Sequence, residues 1–62
     1  MKIEEKIKGK VIEKAREIAR DEGYDIRIVK QDNESYGVTC DFRFNRINVI
    51  IKNNIIVHAD IG

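Results

Sequence analysis

A single cysteine, Cys40, stands in a chain of 62 residues. One cysteine cannot close an internal disulfide or furnish a multi-cysteine metal site, so packing alone must hold the fold. No cofactor is expected. Basic residues do not cluster either. Twelve Lys and Arg against eleven Asp and Glu leave a net charge of +1, and without a basic block the footprint of a nucleic-acid binder is missing. No apolar run approaches the ~20 residues of a membrane span. Neither nucleic acid nor membrane is therefore expected as a partner. Met1-Lys2 leads into charged residues rather than an apolar leader, which points to a cytoplasmic protein or the mature form of a secreted one. The one histidine, His58, has no second ligand or nucleophile in view, so no catalytic or metal role is expected of it.

Hydrophobic residues at 42% and charged residues at 37% make a globular chain rather than a disordered one. A domain of this length buries only about 60% of its unfolded surface, and its core supplies roughly 3–5 kcal/mol. A deep catalytic cleft would consume that core. The size points to one domain over residues 1–62 that works through its surface and is not an enzyme.

Residues 1 to about 22 carry helical periodicity. Ile3, Ile7, Val11, Ala15, Ile18 and Ala19 recur at spacings of three and four, and Glu13, Arg16, Glu17 and Arg20 fill the opposite, solvated face. Gly9 interrupts this pattern, so the regular helix is expected just after it, with the preceding segment a separate arm or turn. Gly23 is placed to stop the helix. Tyr24 to Val29 alternates as a strand, with Ile26 and Ile28 on one face. Residues 30–37 are polar and aperiodic and are expected to form a loop. Arg46 to Lys52 alternates best of all, with Ile47, Val49 and Ile51 on one face. Asn53-Asn54 suits the positive φ of a tight hairpin turn, after which Ile55 to Ala59 returns as a short antiparallel strand. The stretch Val38 to Asn45 fits a strand or an exposed extended loop, and periodicity alone does not choose between them.

A resemblance implies the exposed loop. Gly9-Lys10, Ala15-Arg16-Glu17, Tyr24-Asp25-Ile26, Val38-Thr39, Asp41, Arg43, Asn45-Arg46, Val49 and the closing Ile61-Gly62 resemble the potato inhibitor I family of serine protease inhibitors over almost the whole chain, from Ile7 to Gly62. The run Arg46-Ile47-Asn48-Val49 is similar to the Arg-Leu-Asn-Val of bacterial relatives. The resemblance implies an α+β fold, with one helix packed on a small mixed sheet and a long exposed reactive loop between two parallel strands. Residues 30–45 are long enough for such a crossover.

The resemblance also implies a mechanism. Val38, Thr39, Cys40, Asp41, Phe42 and Arg43 would form the reactive loop, with Cys40–Asp41 as the reactive bond and Cys40 in the protease's specificity pocket. Cysteine behaves as a small hydrophobe, which suits subtilisin-like, chymotrypsin-like or elastase-like enzymes. Arg46, Asn48 and Gly62 would support the loop. The fork of Arg46 would reach the Asp41 carboxylate and the Thr39 hydroxyl, and in the family the terminal carboxylate lies near the supporting arginines. Departures from the family pattern are Asn48 where many relatives carry a second arginine, a longer approach to Val38 without the usual proline, a shorter final hairpin, and Val11 where a Ser or Thr would cap the helix, forfeiting roughly 1 kcal/mol.

Plainer readings stand beside these. Cys40 would be a buried strand cysteine, Arg46 a solvated strand charge, and Phe42 and Phe44 core residues. An interaction module that keeps the fold without inhibiting is the alternative function, with Cys40 as a redox switch. The expected partner is a serine protease. The protein is expected to be a monomer, with a disulfide-linked dimer through an exposed Cys40 as the variation.

Overall fold

The computed structural model describes residues 2–37 and 41–62. Two helices, α1 (Ile3–Ile7) and α2 (Ile12–Asp21), precede four strands, β1 (Asp25–Gln31), β2 (Glu34–Ser35), β3 (Arg46–Lys52) and β4 (Ile55–Ile61). The strands form one mixed sheet in the order β2-β1-β3-β4. β1 and β3 run parallel, whereas β2 pairs with β1 and β4 with β3 in antiparallel fashion. The α+β architecture and the parallel central pair are as the sequence implies.

The core lies between the helices and one face of the sheet. Ile3, Ile7, Ile12, Ala15, Ala19, Ile47, Val49, Ile51 and Ile56 are buried, with Ile18, Tyr24, Ile26, Ile28, Ala59 and Ile61 packed around them. Among the described residues, the largest fully buried side chains are all isoleucine or valine. β3 contributes Ile47, Val49 and Ile51 because its side chains alternate between faces.

The segment before Gly9 is a short helix rather than an arm or turn, so the fold has two helices. Gly9 has φ +86°, a conformation that costs glycine little, and it breaks the helical phase. The apolar stripe therefore does not run on through Val11. Ile12 takes the core position, and Val11 is 37% exposed. Val11 instead bridges to Ile55, while the Gly9 N–H donates to Ile56 O at 2.7 Å and Ile56 N–H to Lys10 O at 2.9 Å. Residues 9–11 thus cover the first part of the outer edge of β4. Val11 provides no side-chain cap for α2, as its side chain dictates.

The end of α2 follows the Schellman pattern. Tyr24 N–H donates to Ala19 O, and Gly23 N–H donates to Arg20 O, with Gly23 at φ +80°. Lys6 Nζ reaches Glu22 Oε2 at 2.6 Å and ties the two helices together at the surface.

The polar stretch 30–37 is not wholly loop. Lys30 and Gln31 extend β1 and pair with Ser35 and Glu34 of β2, turning at Asp32 with φ 54°. Asn53 and Asn54 take φ values of 53° and 67°, the geometry of a two-residue primed hairpin. Asp32 Oδ1 accepts from Asn53 N–H at 2.9 Å, which joins the two turns at one end of the sheet. β4 runs beyond Ala59 to Ile61, because Ala59 and Ile61 still pack on the core and Ile61 pairs with Ile47. That extension carries Gly62 to the opposite end of the sheet, where the segment 41–45 enters β3.

Candidate functional site: an arginine clamp under the loop

The segment 41–45 has no regular secondary structure and is exposed throughout. Of the expected reactive-loop residues, Asp41, Phe42 and Arg43 belong to it. Val38, Thr39 and Cys40 lie outside the described residues, as does the expected bond from Arg46 to the Thr39 hydroxyl.

Arg46 is the first residue of β3, and its side chain is only 12% exposed. Its position follows from the strand. Ile47 must face the core, so Arg46 projects from the other face, next to the strand entrance. Its Nη2 donates to the Asp41 backbone O at 2.6 Å and to Gly62 O at 2.7 Å. Its Nη1 lies 3.5 Å from Asp41 Oδ2. One guanidinium therefore holds the descending limb of the loop and the end of β4 together. Hydrogen bonds to a charged donor contribute about 1.5–3 kcal/mol each, well above an exposed ion pair. Arg46 Nε is buried with no hydrogen-bond partner among the described residues.

Backbone bonds close the same corner. Arg43 N–H donates to Gly62 O at 3.2 Å, and Gly62 N–H donates to Arg46 O at 2.9 Å. Asp25 N–H donates to Asn45 O at 2.9 Å, anchoring the segment to β1 as well. Gly62 is hemmed in. A Cβ there would stand 3.0 Å from Asn48 Nδ2, with the Phe42 ring at 3.7 Å.

The Asp41 carboxylate faces two guanidinium groups, Arg43 Nε at 3.4 Å and Arg46 Nη1 at 3.5 Å. Its pKa lies below the ordinary aspartate value. The backbone N–H hydrogen bond at Asp41 is the largest cause; desolvation opposes it, and the charge of Arg46 and then the hydrogen bond and charge of Arg43 add to the lowering. Asp41 stays ionised through the neutral range. Arg43 is thus engaged within the segment, although 61% of its side chain is exposed.

Asn48 acts at one remove. Its Oδ1 accepts from Arg27 Nε at 3.0 Å, and its Nδ2 abuts Gly62. Arg27 is a residue that strand periodicity alone leaves as a solvated charge. Only the parallel register Arg27↔Asn48 places it beside Asn48. Phe42 and Phe44 are 72% and 80% exposed, so neither belongs to the core. Among the described residues, no three His, Cys, Asp or Glu side chains gather as a metal site requires.

The arrangement can hold an exposed segment in one shape. Its tethers reach the backbone of 41–45, the Asp41 carboxylate and Gly62, while the Phe42 and Phe44 side chains stand exposed. Compared with known proteins, the chain matches no family model and no curated protein.

Proposed function

We propose that the protein is a substrate-like inhibitor of serine proteases, with Cys40–Asp41 as the bond presented to the enzyme. The observation that carries this reading is the Arg46 clamp, 2.6 Å from Asp41 O and 2.7 Å from Gly62 O. The likeness of the chain to the potato inhibitor I family adds to it.

A protease cleaves an extended segment after seating it in the active-site cleft by backbone hydrogen bonds. A loose segment loses about 1–2 kcal/mol of conformational entropy for each residue fixed. A segment already tethered loses less, so it binds more tightly. The same tether acts after the bond is cut. Attack on the Cys40 carbonyl gives an acyl-enzyme and frees the Asp41 amine. Arg46 holds Asp41 by its carbonyl and carboxylate, and Gly62 holds Arg43, so the amine stays beside the ester. Re-formation of the peptide bond then competes with hydrolysis. The protein itself contributes no catalytic group to this cycle. Cys40 would fill a medium apolar pocket, which favours subtilisin-like, chymotrypsin-like or elastase-like targets.

The test is a titration of the reduced protein against subtilisin and chymotrypsin, with the mixture assayed for cleavage between Cys40 and Asp41. Near-stoichiometric inhibition with slow cleavage is expected. Rapid cleavage there would make the protein a substrate with an insufficient clamp. Neither inhibition nor cleavage would overturn the reading for these enzymes and favour an interaction module.

A further inference from the structure

The chain holds two phenylalanines, and both stand outside the core. Phenylalanine is among the residue types most often fully buried, yet Phe42 is 72% and Phe44 80% exposed. The core itself is built from isoleucine, valine and alanine. A third aromatic, Tyr36, is 44% exposed on the other limb of the same loop. Only Tyr24 packs against the core. Aromatic surface is thus concentrated where it contributes least to folding.

The backbone beneath Phe42 and Phe44 is held. A tight turn from Arg43 to Arg46 carries Phe44, with Arg46 N–H donating to Arg43 O at 3.4 Å. Gly62 O, Asp25 N–H and the Arg46 guanidinium tether the residues on either side. Phe42 rests one ring edge near Gly62, while Phe44 has almost its whole ring in solvent. A large apolar group on a fixed backbone is suited to a partner, because a phenylalanine buries some 150–250 Å² with little side-chain entropy to lose. Interface centres are enriched in such residues.

We infer that Phe44, flanking the reactive-loop residue Phe42, docks on the protease surface bordering the leaving-group side of its cleft and is a specificity-determining anchor beyond the residues next to the cut bond. This inference rests on the inhibitor reading. Continuity identifies the occupant. Phe44 lies three positions beyond Asp41 in the same tethered limb, so an enzyme seated on Cys40–Asp41 lies next to it. The Asp41–Arg43 ion pair occupies the alternate side chains and leaves the aromatic pair as the apolar contact.

Phe44→Ser and Phe44→Leu test this against subtilisin and chymotrypsin, with dissociation rates measured beside inhibition constants and thermal midpoints. Phe44→Ser is expected to weaken inhibition by at least about tenfold, chiefly through faster dissociation, as loss of an interface anchor does. Its thermal midpoint should match the parent's, and Phe44→Leu should recover most of the affinity. An inhibiting parent with an equally potent Phe44→Ser variant overturns the Phe44 anchor and leaves the inhibitor reading intact. A parent that inhibits neither enzyme overturns both. Sedimentation showing a dimer that Phe44→Ser abolishes would assign Phe44 to a second copy and overturn the protease contact.

Discussion

The guanidinium of Arg46 donates to the backbone carbonyl of Asp41 at 2.6 Å, and the same Nη2 donates to Gly62 at 2.7 Å. The segment that leads into β3 is therefore fastened to the end of β4 through a side chain of β3 itself. Bonds to the backbone carbonyl constrain the path of the chain, whichever side chains the segment carries.

Removing the clamp should loosen the loop and lower stability together. Arg46→Ala loses two charge-assisted bonds and should cost roughly 2 kcal/mol. Urea unfolding measures the stability, and subtilisin digestion measures the rate of cleavage at Cys40–Asp41, expected to rise at least about tenfold. An Arg46→Ala protein as stable and as slowly cleaved as the parent would eliminate the clamp as the source of rigidity.

Asp41 adds a pH signature. Its folded-state pKa is depressed, so its ionised form stabilises the fold. That contribution is complete above the ordinary aspartate value of about 4 and is lost as pH falls from there through the lower folded-state pKa. Asp41→Asn should lower the urea midpoint slightly at about pH 6, and the gap from the parent should close towards about pH 2. A gap that stays constant across that window would mean that ionisation of Asp41 does not matter to the fold.

Gly62 tests the crowding at the same corner. A Cβ there would meet Asn48 Nδ2 at 3.0 Å, tighter than ordinary contact. Gly62→Ala should displace Asn48 or the Phe42 ring and cost about 1 kcal/mol. Amide chemical shifts of Arg27, Asn48 and Arg43 should move while those of α2 stay still. Unchanged shifts at all three would contradict the packing described for this corner.

The far end of the sheet offers a stabilising change. Asn54 holds φ 67° in the β3–β4 turn, and Asn-Gly is the preferred pair for this geometry. Asn54→Gly should raise stability by about 0.5 kcal/mol, since glycine carries no Cβ penalty there. Thermal melts decide it, and a lowered midpoint would mean that the Asn54 side chain does more than tolerate the turn. The proposed inhibition should be unaffected, because the turn lies at the opposite end of the sheet from Arg46.

Local pattern reveals much of the architecture. Alternation along Arg46 to Lys52 matches β3 residue for residue, Asn53-Asn54 marks its turn, and Gly23 marks the stop of α2. The short helix α1 and the two-residue strand β2 are less legible. A five-residue helix shows too little periodicity to stand on its own, and the pairing of Glu34-Ser35 depends on β1 running on through two polar residues. Val11 misleads because a periodic stripe assumes one unbroken helix, and Gly9 resets the phase.

Much of the candidate site depends on longer reach. Residue type and order single out Asp41, Arg46 and Gly62 by resemblance, but the bond from Arg46 to Gly62 spans 16 positions. The bond from Arg27 to Asn48 spans 21. Such contacts follow from strand order and register, which periodicity along one strand does not specify. By itself the sequence determines α2, β3 and the turn after it, and the apolar face of β3, because those properties follow from neighbours three or four residues away or fewer. The tertiary structure alone decides that β4 extends past Ala59 to bring Gly62 beside Arg46, that Arg27 meets Asn48, and that both phenylalanines face solvent. Those outcomes depend on how several buried faces are satisfied at once.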